Sequence, residues 1–163
     1  MTQSALNNFD EYTMLNPGPL ASFIGFTEEE VKGLSNKYNI DFDRIKKWYD
    51  GYYLNHQHVY NPKAVVSLFT LGLFQSYWAQ TSSYESIHSL IQMNFDGLKE
   101  AVLEMLSGNE VKMQTTSFQN DMVSFKNMDD VLTALVHLGY LGYNQTYKTV
   151  FIPNCLLYTS DAA

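Results

Sequence analysis

The sequence predicts a mainly α chain: a helical bundle followed by a winged-helix-like module with a small β-sheet that ends in a C-terminal hairpin. Three observations carry this. Through residues 27–108, apolar side chains recur at helical spacing between capping residues. After Gly108 the pattern becomes an alternating strand, one more helix and a hairpin, the element order of a winged helix. At 163 residues, with 45% hydrophobic and 15% aromatic residues, the chain has apolar mass for one domain, or a domain plus a small module.

Residues up to Pro19 are polar and broken by Asn7-Asn8 and Pro17-Gly18-Pro19, so they read as loop with at most a short helix. Thr27-Glu28-Glu29-Glu30 is a capping box: the Thr hydroxyl accepts from a free amide one turn on, and Glu30 reaches back to Thr27. Val31, Leu34 and Tyr38 follow at helical spacing, giving a helix over about 28–37. Asp41 or Asp43 starts a second helix with Phe42, Ile45, Trp48 and Tyr49 on one face, ended by a turn at Asp50-Gly51. His56 and His58 fall in a polar hairpin or loop, and two histidines without a third ligand make a weak metal site.

Asn61-Pro62 starts the third helix, with Asn61 as N-cap and Pro62 fixing φ in the first turn. That helix carries Val65, Val66, Leu68 and Phe69 and stops near Gly72; Phe74, Tyr77 and Trp78 form a short fourth. Ser82 or Ser83 caps a helix with Tyr84, Ile87, Leu90 and Ile91, and Asp96 caps another that stops at Ser107-Gly108. Glu110 to Thr116 alternates as a strand, Asn127 to Asp130 caps a helix ending at Gly139, and Leu141 to Ile152 folds as a hairpin. The one linker candidate is Phe118 to Lys126.

The densest feature is the run Lys47-Trp48-Tyr49-Asp50-Gly51-Tyr52, followed by Val59-Tyr60-Asn61-Pro62 and Tyr77-Trp78. It predicts an aromatic knot of Trp48, Tyr49, Tyr52, Tyr60, Tyr77 and Trp78 where two helices meet. Trp48 is expected at its buried centre and Gly51 at positive φ. Packing is the main reading of this knot, and a ligand or partner surface the alternative.

Chemistry-bearing patterns are few. A net charge of −7 and a single arginine, Arg44, argue against a general nucleic-acid binder. No phosphate-cradling Gly-x-x-x-x-Gly-Lys-Ser/Thr run occurs, and no Gly-x-Ser-x-Gly elbow. The acids at 10–11, 28–30 and 129–130 read as loop residues and caps, so no catalytic and no metal-ligating residue is assigned. Asp50, set among aromatics, satisfies backbone amides or a tyrosine hydroxyl. Arg44, one turn before Trp48, is the candidate phosphate-binding residue because a guanidinium pairs bidentately with phosphate. The lone Cys155 excludes an internal disulfide, which fits a cytoplasmic setting, and no apolar run approaches a membrane span.

The words WYDGY, VYNP and YW, preceded by GFTEEEV, resemble the bacterial AAA-ATPase-like family, whose members usually carry a PD-(D/E)XK nuclease-like domain downstream. The likeness runs from about Ser4 to Asn154. It implies a loop-rich remnant of the ATPase core at 1–26, a helical lid-like domain at 27–108 and a winged-helix-like part at 109–154. Residues 155–163 resemble a translated sequencing-library adapter, which implies a non-native tail. The resemblance further implies ATP and magnesium bound by the parent protein rather than by this fragment. The expected partners are the missing ATPase core and the downstream effector. Tyr53-Leu54 departs from the small or basic residue that many relatives carry after WYDGY. A free-standing winged-helix module binding nucleic acid or protein is the rival. It lacks basic residues, since the helix Met128 to Leu138 has no Lys or Arg and the wing has only Lys148.

Overall fold

A computed structural model describes residues 10, 12–77, 84–114 and 125–153, with the backbone alone for 84–87. Among them the order is a 3-10 helix Gly18–Phe23, β1 Phe26–Thr27, α1 Glu28–Tyr38, α2 Phe42–Tyr49, β2 Asp50–Leu54, β3 Gln57–Tyr60 and α3 Pro62–Leu71. Then come α4 Tyr84–Ile91, α5 Leu98–Leu106, β4 Val111–Lys112, α6 Met128–His137, β5 Gly142–Asn144 and β6 Thr149–Phe151. The strands form two antiparallel three-stranded sheets, ordered β1-β3-β2 and β4-β6-β5. The fold is therefore mixed α and β rather than mainly α.

The first sheet corrects two expectations. Asp50-Gly51 is not a turn that closes a helix. Asp50 already has extended dihedrals (φ −71°, ψ 134°) and opens β2, and Gly51 is absent from the positive-φ glycines. Residues 55–56, not 50–51, make the turn. Asn55 and His56 have φ of 47° and 64°, which suits the two-residue type I′ hairpin loop between Leu54 and its partner Gln57. The extended state wins because Tyr52, Leu54 and Val59 bury side chains from alternating positions, a pattern the Gly, Asn and His content obscures.

Capping chemistry is realised where the sequence has side-chain caps. The Thr27 hydroxyl accepts from the Glu30 amide at 3.3 Å, and the Glu30 carboxylate accepts from the Thr27 amide at 2.8 Å. Asp41 caps α2, Asn61 Oδ1 accepts from the Ala64 amide at 3.2 Å, and Asn127 Oδ1 accepts from the Asp130 amide at 3.0 Å. Gly72 ends α3 at φ 68°. Asp96 is not a cap: α5 starts one residue later, behind Gly97 at φ 82° with no side-chain cap bond. Residues 72–77 are not helical, so no short helix begins at Phe74, and Trp78 lies outside the described residues. So do Ser82, Ser83 and the tail, while the expected strand over 110–116 is shortened to β4, with 115 and 116 also outside.

Two hydrophobic clusters form the core. The first unites Val31, Ile45, Tyr49, Tyr60, Val65 and Leu68; the second unites Leu98, Met105, Val131, Leu132, Val136 and Val150. The buried residues of the first cluster end at Tyr77 and those of the second begin at Leu90. Each of these fully buried aliphatic side chains is worth about 1.5–3 kcal/mol relative to exposure.

Candidate functional site

The WYDGY stretch is the last turn of α2 running directly into β2, and its residues separate into two groups. The first is aromatic packing. Tyr49 is 1% exposed and stacks on Phe74, ring centroids 6.0 Å apart at 10°. Its hydroxyl donates to the Gln75 carbonyl at 3.0 Å and accepts from the Gln75 amide at 3.1 Å, which pins the irregular stretch after α3. Tyr77, also buried, tilts against Tyr49 and donates to the Leu73 carbonyl at 2.6 Å. Trp48 is only half-buried and leans on Phe74 and Tyr49 from the side. The centre of the knot is thus Tyr49, which is fully buried and holds both Phe74 and Tyr77, whereas Trp48 is only partly buried. Arg44 is exposed, with its guanidinium carbon 4.1 Å from the Phe74 ring centroid, a cation–π contact rather than an ion pair.

The second group is polar and depends on a bulge. β2 and β3 pair Leu54 with Gln57, Tyr53 with His58 and Tyr52 with Val59, and then Asp50 with Tyr60, so Gly51 is the extra residue. Without it, Gly51 would oppose Tyr60 and Asp50 would project from the other face. With it, Asp50 shares a face with His58, Tyr53 and Tyr60. Asp50 is 9% exposed, and its two carboxylate oxygens lie 3.0 and 2.8 Å from His58 Nδ1. Tyr53 stands edge-on to His58 with centroids 5.1 Å apart. These residues border a cleft of about 180 Å³ lined by Asp50, Gly51, Tyr52, Tyr53, His58 and Phe151.

Beside it lies a second charged group. Glu28 Oε1 is 2.9 Å from Lys32 Nζ and 3.5 Å from Lys46 Nζ. Lys32, foremost, holds the Glu28 carboxyl below its ordinary pKa, with Lys46 adding to the effect against the opposing influence of burial. Tyr60 is fully buried with a hydroxyl that has no hydrogen-bond partner among the described residues. Burial first, then the Asp50 and Glu28 charges, raise its phenol well above the ordinary tyrosine range. Asn61 and Pro62 start α3 just beyond it and border a larger groove of about 220 Å³ between the hairpin and the end of α6.

The sequence singled out Trp48, Tyr49, Asp50, Gly51, Tyr52 and Tyr60 but not the partners that give Asp50 its setting. His58 read as a loop histidine, and Phe151 lies 101 positions from Asp50, so no local pattern joins them. The signal for His58 was the alternation His58, Tyr60 on one strand face. Among the described residues no group of three or more His, Cys, Asp or Glu side chains is placed to hold a metal ion, and no helix is long and apolar enough to cross a membrane.

No family model matches the chain, and no solved structure matches it. An uncharacterized protein in the vnfD 5′ region of Azotobacter chroococcum mcd 1 is 32% identical over 82 residues. That stretch is 49% of this chain and spans only 16% of the Azotobacter protein's length.

Proposed function

We propose that this chain is the non-catalytic C-terminal part of the ATPase-like region of an AAA-ATPase-like protein. In this reading a helical lid-like unit and a winged-helix-like unit couple nucleotide state to a downstream nuclease-like or other effector domain in the cytoplasm. The observation that carries the reading is the position of the β2–β3 hairpin. Its residues Tyr52, Leu54 and Val59 belong to the first cluster, yet β2 also packs against β5 and Tyr52 hydrogen-bonds to Gly139 beyond α6. An element anchored in both clusters transmits a displacement of one to the other, because packed cores shift as units rather than deform continuously.

The winged-helix assignment of 109–154 is supported by the order β4, α6 and the β5–β6 hairpin, closed into one sheet. The family is supported by the WYDGY, VYNP and GFTEEEV words, and the fragment reading by the small share of the Azotobacter protein that the match spans. ATP and magnesium belong to the parent. Arg44, the candidate phosphate-binding residue, lies against the Phe74 ring in a cation–π contact. No step of nucleotide chemistry is assigned here.

The test uses the sequence flanking this chain. A parent spanning both sides is expected to bind ATP through its upstream part and to change amide exchange at 50–60 when ATP is added. Unchanged exchange there in an ATP-saturated parent, or nucleotide turnover by the purified 163-residue chain alone, overturns the proposal.

A further inference from the structure

We propose that the cleft beside the Gly51 bulge is a binding site for an organic cation: an ammonium or guanidinium group on a slender aliphatic stem. This inference does not depend on the ATPase reading. The donor–acceptor logic comes first. A carboxylate only accepts, so with Asp50 ionised the His58 Nδ1 facing both its oxygens carries the proton. The other ring nitrogen, Nε2, has no hydrogen-bond partner among the described residues and can accept from a ligand when the ring is neutral. The His58 side chain is 39% exposed, which leaves that acceptor accessible from the cleft it borders.

The walls point the same way. Tyr53 and Phe151 contribute two aromatic side chains, and no lysine or arginine lines the cleft. Aromatic faces with a carboxylate behind them attract cations and gain nothing from anions. The rings are held in place rather than draped. Tyr53 is set by its cross-strand partner His58, and Phe151 lies over its cross-strand partner Gly142, where a Cβ would fall 2.4 Å from the ring. A volume of about 180 Å³ is smaller than a site for a drug-sized ligand and suits one side-chain-sized group. The chain's net charge of −7 favours the approach of such a ligand.

The experiment is a titration of the full chain with N-acetyl-lysine amide, followed by amide chemical shifts, with sodium chloride as the ionic-strength control. Saturable shifts at Gly51, Tyr53, His58 and Phe151 are expected, weakened at least about threefold in Tyr53→Leu and in Phe151→Leu, the loss of one ring–cation contact. Both positions are partly exposed, so these variants keep the test independent of Asp50→Asn, which removes a buried partner. Tetramethylammonium, which cannot donate to Nε2, is expected to bind more weakly. Tighter binding of a Gly-Lys-Gly peptide than of butylammonium assigns the cation to a partner protein, and the reverse assigns it to a free amine. Shifts that match the salt control, scatter over the acidic surface, or persist unchanged in both leucine variants overturn the site.

Discussion

Tyr52 donates its hydroxyl hydrogen to the backbone carbonyl of Gly139, across a separation of 87 positions. The bond ties the first residue after the bulge to the chain just beyond α6, where Gly139 takes φ 79°. Tyr52→Phe is expected to cost about 1 kcal/mol, the typical net value of such a bond. Amide exchange should also loosen selectively at Gly139 to Leu141. A uniform change over both clusters would mean that the bond does not link them.

Tyr49, not Trp48, carries the aromatic packing. Tyr49→Ala is expected to destabilise by roughly 3–5 kcal/mol in denaturant unfolding, the range for deleting a large buried aromatic. Trp48→Ala should cost clearly less, since Trp48 is half-exposed and leans on the cluster from the side. Equal losses would place both rings at the centre.

The Tyr60 hydroxyl is a buried polar group without a hydrogen-bond partner among the described residues, so removing it is expected to help. Tyr60→Phe should raise stability by up to about 1–3 kcal/mol, the desolvation cost of an unsatisfied group. The sign with pH follows from linkage. The folded phenol titrates above its unfolded value, so the fold's preference for the neutral form is intact below about pH 10 and is lost as pH rises above it. The parent chain should therefore lose stability in alkali faster than Tyr60→Phe. A destabilised Tyr60→Phe would show that the hydroxyl is satisfied.

Glu28 runs in the opposite sense. Its carboxyl is depressed by Lys32 and then Lys46, so its contribution is present above the unfolded value near 4.5 and is lost as pH falls through the lower folded value. Glu28→Gln should flatten the acid limb of the stability curve while changing neutral stability little, because the Lys32 and Lys46 side chains that pair with it are exposed and the ion pairs are screened. An unaltered acid limb would place the acid sensitivity elsewhere.

Gly25 is crowded by the backbone and side chain of β3. A Cβ there would sit 2.4 Å from the Tyr60 carbonyl oxygen and 2.9 Å from Val59 Cγ1. Gly25→Ala is expected to push β1 off β3 and to destabilise by roughly 1–3 kcal/mol, the usual cost of overpacking. A melting temperature equal to that of the parent chain would show that β1 yields freely.

Local chemistry was legible in the sequence. The Thr27 capping box, the Asn61-Pro62 start, the Gly72 stop, the Asn127 cap and the Leu141 to Ile152 hairpin each depend on residues within a few positions, and each formed where its signals lie. The aromatic run also marked the stretch on which the fold turns. Tertiary contacts decided the rest. Asp50-Gly51 became strand and bulge rather than turn because pairing with Tyr60 and burial of Tyr52 outweigh the local turn preference of Asp-Gly. That single register shift puts Asp50 on the face of His58, and only the approach of β6 brings Phe151 to the same cleft. A sequence specifies caps and turns through neighbours, whereas a cleft is specified by which distant surfaces bury most area together, a sum over the whole chain.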